Sequence, residues 1–325
     1  VLVDWRPHNR RAKSLAEDLG AELRLAPPVL RRKLYAPLRY VYLSLWTAGI
    51  FLRMRPSVIV ASAPPPFCAI LAFAYSRLFT CAYIVDAHHL ATTGYWSRLP
   101  FGFWFNRLVM NRSLTTLVHN EAIQSLAGER GVNATVLETK VPALHPGSVH
   151  PLAGSFRVLV PCSFDPDEPI AQLWMAASQL GETTFYVTGD HARLDTKTLK
   201  AHPDNVVLTG FVSEAEYDGM LNSVDAVLAL TTEDYPVRPR AASDAIAAEK
   251  PLVASRNEAT RQHLGTGAIL IGNTQREIVE GLSEVRRRHG EYQLAMKRLK
   301  SERMRQYQLE LQVLKRILAD RQVPK

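Results

Sequence analysis

The chain has 325 residues, of which 47% are apolar, and a net charge of +8. That length allows two domains of about 150 residues each, and the composition excludes a globally disordered chain. The three cysteines, Cys68, Cys81 and Cys162, stand in apolar surroundings at no metal-ligand spacing. They fit buried thiols in a reducing compartment better than a disulfide framework.

No signal peptide is visible, and the strand-like opening Val1–Asp4 predicts that a few residues precede it. His8 and Asn9 follow that strand, and Arg10, Arg11 and Lys13 lead into a helix. Further strands are predicted at 21–26, 57–62, 81–86, 114–119 and 134–138. The strand ending at Asp86 runs into Ala87, His88 and His89, and His119, Asn120 and Glu121 close another. Three strand ends of one sheet thus carry histidine, at the position where parallel strands present side chains to a ligand. Such groups can orient a hydroxyl or take its proton; a histidine that only caps a loop is the alternative for each taken alone.

Between Glu22 and Glu121 stand eleven Lys/Arg, a single acid (Asp86) and sixteen of the 27 aromatic residues. That mixture suits nucleic acid or an anionic membrane surface. Two uncharged runs inside it, Val41–Leu52 and Ala63–Ser76, are shorter than the ~20 residues of a spanning helix. The expectation is a protein that lies on a membrane without crossing it, with ordinary buried elements of a basic domain as the plainer reading.

The clearest Pro/Gly/Ser stretch, His145–Ser155, predicts the join between two halves. Strands are then predicted at 156–161, 184–188, 206–211, 225–230, 251–255 and 268–271. Their near-continuous Val/Ile/Leu character predicts parallel strands covered on both faces, and the alternation with helices predicts two doubly wound sheets. Asp165-Pro166-Asp167 is a DxD triplet, but its place before Glu168-Pro169 and a helix-like run is accounted for by N-capping and first-turn charge. Gly189 and Gly210 end two strands, where glycine lets a ligand approach the backbone or simply makes the turn. Ser213 with Glu216 reads as a capping box.

In 225–255 an apolar strand leads into a polar loop with Thr231, Thr232, Glu233, Arg238 and Arg240, then a short Ala-rich helix with Asp244 one turn in. A helix start with cations at the carboxyl end of a parallel strand favours phosphorylated ligands. A loop with two surface arginines and a solvated Asp is the alternative. Residues 275–320 read as charged and helical, with Leu299, Met304, Leu309, Leu311, Leu314, Ile317 and Leu318 at roughly helical spacing, either packed across the domain junction or as a surface coiled-coil segment. P-loop, GxGxxG, HExxH and CxxC motifs are all absent.

Taken together, VVLTGFVSEAEYDGMLNSVDAVLALTT…SDAIAAEKPLVAS, SFDPDEPI, FYVTGD, VDAHH and HNEA resemble the GT-B glycosyltransferases, and within them the family-four type. The resemblance implies an α/β chain of two Rossmann-like doubly wound parallel-sheet domains facing a cleft. Residues 1–150 would be the acceptor-binding, membrane-facing domain, 151–275 the donor-binding domain, and 276–325 a helical segment packing back across the junction. It implies sugar transfer from a UDP- or GDP-linked nucleotide diphosphate sugar to a lipid-linked or polysaccharide-precursor acceptor, as in glycolipid or polysaccharide biosynthesis. No cofactor, metal or nucleic acid would take part.

On that resemblance His88 and Glu233 are catalytic. Arg240, Asp244, Arg238, Gly189, Gly210 and Thr232 bind the donor, and His8, Asn9, His89 and His119 the acceptor. The implied location is cytoplasmic, peripheral to the inner face of the membrane. Departures stand out: Glu233 and Asp244 are spaced wider than the family's glutamate pair, with the second shortened to Asp; the Lys that often follows the first strand of the donor half is missing, with Asp165–Glu168 in that region; and Glu249 replaces a usual glycine, which suggests a different turn. A UDP-sugar epimerase and a non-catalytic partner of membrane or transferase stay open as alternatives.

Overall fold

The computed structural model describes residues 1–29, 32–87, 100–145, 147, 149–232 and 240–320. The chain divides into two compact units, one of Val1–Lys140 with Gln306–Lys325 and one of Val141–Arg305. Each is built on a six-stranded parallel sheet.

The first sheet consists of β1 (Leu2–Asp4), β2 (Leu23–Leu25), β3 (Val58–Ala63), β4 (Ala82–Ala87), β5 (Thr116–Val118) and β6 (Ala134–Val136). Their order is β2-β1-β3-β4-β5-β6, so the winding direction reverses between β1 and β3. Central β4 is buried at every position, while edge strand β6 is half-buried, as expected where helices cover both faces of the middle.

Helices α1 (Arg10–Leu19), α2 (Ala36–Met54), α3 (Phe67–Leu78), α4 (Pro100–Asn111) and α5 (Glu121–Glu129) connect these strands. Asn9 caps α1 by accepting from the Arg11 amide, and Gly20 ends it in the left-handed region at φ 60°. On one face of the sheet Trp5, Tyr40 and Phe67 form an aromatic triangle, and Trp5 donates its indole N–H to the buried Thr47 hydroxyl at 2.9 Å. On the other, Leu2, Leu15, Val60, Ile84 and Leu117 meet Tyr307, Leu311 and Leu314 from the far end of the chain.

The second sheet has β7 (Phe156–Pro161), β8 (Thr183–Thr188), β9 (Val206–Gly210), β10 (Ala226–Ala229), β11 (Leu252–Ser255) and β12 (Ile269–Ile271), in the order β12-β11-β10-β7-β8-β9. Its reversal falls between β7 and β10. Helices α6 (Ile170–Gln179), α7 (Thr196–Lys200), α8 (Glu214–Ser223), α9 (Arg240–Ala248), α10 (Glu258–Leu264), α11 (Gln275–Arg287) and α12 (His289–Asp320) complete the chain. Each predicted strand forms, and the Ser213/Glu216 capping box starts α8 with both of its hydrogen bonds.

The stretch after Lys140 is tied into the second unit. The His145 amide and Nδ1 both meet the buried Asp218 carboxylate, at 3.0 and 2.7 Å, and the His150 amide donates to Ser223. The charged tail forms α11 and the 32-residue α12. Residues of α12 up to Arg305 belong to the second unit, where Met296 and Leu299 are buried, and those from Gln306 to the first. Met304 and Leu309, which share the apolar spacing, are exposed. Among the described residues no helix is long and apolar enough to cross a membrane.

Candidate functional site

The carboxyl edge of the second sheet is assembled from short polar segments that follow each strand. After β10, the Thr231 amide donates to Ser255 at the end of β11, Ser255 donates to Asn273 beyond β12, and Asn273 returns a bond to the Thr231 carbonyl at 2.7 Å. Across the reversal between β7 and β10, Asp167 accepts from the Thr231 hydroxyl at 3.1 Å, and its carbonyl accepts from the amide and hydroxyl of Thr232. These bonds fix four strand ends with neutral or singly charged groups. The exposed Thr232 is thereby a clasp residue whose hydroxyl is already engaged.

The loop after β7 corrects the N-capping expectation for the DxD triplet. Helix α6 begins at Ile170 behind Pro169, with no side-chain cap and no acid in its first turn. The acids are drawn elsewhere: Glu168 accepts from the amides of Ser163 and Asp165 at 3.0 and 3.1 Å and from the Cys162 thiol, while Asp165 pairs with Arg193 at 2.8 Å. Backbone amides left open by a turning loop attract a carboxylate more strongly than a helix start blocked by proline does. Burial, together with the neighbouring Glu168 charge, pushes the Cys162 thiol up.

Gly189 sits at φ 115°, and a Cβ there would stand 1.9 Å from the Cys162 carbonyl oxygen. The group that approaches this glycine is therefore the chain's own backbone. Gly210 lies in the left-handed region at φ 71°, and its carbonyl accepts from the Gly189 amide at 3.0 Å. Phe211, next in sequence, is 85% exposed.

Helix α9 starts beyond the carboxyl end of β10. Its first residue, Arg240, is exposed and forms no ion pair among the described residues. Asp244, one turn in, is buried and accepts from the Tyr217 hydroxyl of α8 at 2.9 Å, so it is not the solvated Asp of the alternative reading. Glu249 adopts the left-handed conformation at φ 55° and accepts from Lys300 at 2.9 Å. The turn is thus the one a glycine would make, which corrects the expectation of a different turn. Of the predicted site residues, His88, His89, Glu233 and Arg238 lie outside the described residues.

The carboxyl edge of the first sheet is held by charge. The buried Asp4 accepts from Arg6 at 2.7 Å, from Ser62 at 3.0 Å and from Asn9. Burial raises its carboxyl, but the Arg6 hydrogen bond and charge, joined by Asn9, outweigh this and hold it below the usual carboxylate range. Arg11 and Asp86, both buried, pair through Nη2 at 2.9 Å and Nε at 3.1 Å, and Arg11 Nη1 donates to the Glu138 carbonyl. Asn9 is occupied as the α1 cap and as a donor to Asp4. His8 is exposed, and His119 makes a long 3.4 Å contact to Thr139. Sequence reasoning missed the Arg11–Asp86 pair. Its signal was present, since Asp86 is the single acid of a long basic stretch.

No family model matches the sequence. No curated protein matches it either. Among solved structures, the chain is similar to a sucrose-phosphate synthase from Thermosynechococcus elongatus, with a TM-score of 0.73, 11% identity and 98% of each chain covered. It is similar to HepE from Anabaena, solved in complex with UDP-glucose, with a TM-score of 0.69, 13% identity and 98% of each chain covered. A glycosyltransferase from Rickettsia africae matches at a TM-score of 0.66 and 11% identity, over 94% of this chain and 88% of that one. Likeness at this level of identity carries the fold: two Rossmann-like parallel-sheet domains in one chain, the GT-B fold.

Proposed function

We propose that this chain is a metal-independent glycosyltransferase. It moves a sugar from a UDP- or GDP-linked donor to a lipid-linked or polysaccharide-precursor acceptor hydroxyl at the cytoplasmic face of a membrane. The observation that carries this reading is the start of α9. An exposed Arg240, with no ion pair among the described residues, stands on the first turn of a helix that begins beside the reversal of a doubly wound sheet. Unpaired N–H groups and the helix dipole favour a diphosphate there, and Arg240 adds a full charge.

As the sugar–phosphate bond breaks, charge develops on the leaving diphosphate, and fixed donors aimed at it lower the barrier without a metal. Asp244, held by Tyr217, is assigned to the ribose hydroxyls. Glu233 and His88 are assigned, on the family resemblance, to the donor sugar and the reacting centre. The basic, aromatic composition of residues 23–120 supports an acceptor taken from an anionic membrane surface.

The test is thermal stabilisation of the protein by a panel of UDP- and GDP-sugars. At least one is expected to stabilise the wild type. Arg240→Ala is expected to weaken that ligand about tenfold, the loss of one charge-assisted contact. Asp244→Asn, which keeps the packing, is expected to weaken a nucleoside diphosphate sugar more than inorganic diphosphate. If no nucleotide sugar stabilises the wild type, the enzyme reading is wrong. Binding without transfer to any acceptor would leave the non-catalytic partner.

A further inference from the structure

Helix α2 packs only one of its faces. Leu43, Thr47 and Phe51, spaced four apart, are buried against the first core. The opposite stripe is apolar as well: Leu38, Val41, Leu45 and Leu52 are 61, 59, 70 and 57% exposed, and Leu34 just upstream is 83% exposed. A surface helix of a globular domain ordinarily carries charged residues there. Single exposed leucines need no explanation, but four large apolar residues along one stripe about 20 Å long, with only the small Ala48 and Gly49 between the last two, do.

Cations frame this ridge. Arg32 precedes it, Arg39 lies over the Tyr40 ring at 5.4 Å, and Arg53 and Arg55 close its far end. Helix α3 runs alongside in the same direction. Tyr40 meets Phe67 where both helices begin, and Phe51 meets Tyr75 towards their ends. Tyr75 in turn stacks on Phe79 at 4.5 Å. Arg55 stands near Tyr75, and Leu78, the last residue of α3, is 78% exposed. None of these arginines forms an ion pair among the described residues, and no acid occurs between Glu22 and Asp86.

From these observations we infer that the α2 ridge, with the end of α3, is a docking surface for an anionic phospholipid leaflet. The aliphatic side chains enter the headgroup–acyl boundary, and the arginines reach the lipid phosphates. The charge pattern selects this occupant. A ridge of leucine and valine offers nucleic acid no groove of hydrogen-bond donors, whereas a cation-framed apolar helix lying flat is what an anionic leaflet holds. The inference rests on the membrane-surface part of the proposed function and assigns it to a face.

The experiment is co-sedimentation with vesicles of phosphatidylcholine alone and of phosphatidylcholine with phosphatidylglycerol, at low and high salt. Wild type, Leu38→Gln/Leu45→Gln and Arg53→Gln/Arg55→Gln are compared, with thermal unfolding to verify that each variant folds. The wild type is expected to partition onto anionic vesicles and to be released by salt. The leucine pair is expected to lose partitioning about tenfold or more, and the arginine pair to lose the preference for anionic vesicles.

Equal partitioning of wild type and the leucine pair would overturn the inference. So would no partitioning of the wild type, or a wild-type dimer that the leucine pair dissociates, which would put a second copy on this face. Nucleotide-sugar stabilisation is read on the same samples. Vesicle binding without it sinks only the donor reading, and the reverse sinks only this one.

Discussion

The carboxyl edges of the two sheets solve the same problem with different chemistry. In the first, buried carboxylates are matched to cations: Asp4 to the partly exposed Arg6, and Asp86 to the buried Arg11. In the second, hydroxyl, amide and backbone groups close a circuit through Thr231, Ser255, Asn273 and Asp167. A paired buried ion is costly to disturb, whereas a neutral hydrogen bond has a modest net worth. The first edge is therefore the more rigidly specified. The second leaves Arg240 exposed, with no ion pair among the described residues.

The largest test of this contrast is Asp86→Ala, which strands a buried guanidinium. It is expected to cost about 3–5 kcal/mol, confined to the first unit when amide hydrogen exchange is resolved along the chain. Equal loss of protection in both units would dissolve the contrast. Gly189→Ala is expected to cost about 3 kcal/mol or more in the second unit, because the position combines a glycine-only backbone with a carbonyl in the place of a Cβ. Urea unfolding of the purified variant reads this directly.

A pH series sharpens the comparison further. The Asp4 carboxyl is held low in the folded chain, so its contribution is present above the unfolded value of about 3.9. It is lost as pH falls through the folded value. Unfolding midpoints followed down from pH 6 should drop more steeply in wild type than in Asp4→Asn; parallel curves would remove Asp4 from the account. Thr231→Val, by contrast, removes the bond to the Asp167 carboxylate and is expected to cost about 1.5 kcal/mol. Smallest of all is Glu249→Gly. Relief of the left-handed backbone, about 1 kcal/mol, is set against loss of the Lys300 contact. A slight rise in melting temperature is expected, and a fall would show that the ion pair dominates.

The strands were legible because central parallel strands are buried on both faces, and runs such as Val58–Ala63 and Leu252–Ser255 can serve little else. The capping box was legible because it is local. What required long-range pairing was not. Arg11 and Asp86 are 75 residues apart; a lone acid in a basic stretch signals that Asp86 has a partner, but not which of the many cations it is. Asn9 read as a free polar group at a strand end, yet its amide nitrogen donates to Asp4 and its oxygen caps α1. The acids after β7 read as helix caps because a sequence does not display the open amides of the preceding turn. The basic, aromatic bias was visible as composition, but which side of α2 stays uncovered depended on knowing which residues the core had taken.

Helix α12 also bears on how the polypeptide is made. Tyr307, Leu311 and Leu314 form one wall of the first core, Tyr307 donates to Asp18 at 2.7 Å, and Glu310 accepts from the Glu138 amide at 2.7 Å. The half that leaves the ribosome first therefore lacks that wall until translation has passed the whole of the second half. Domains generally fold as units in the order of synthesis; here the earlier one must wait for the later. During that interval Leu2, Leu15 and Leu117 lack part of their cover, and a stop codon near residue 305 would make the delay permanent.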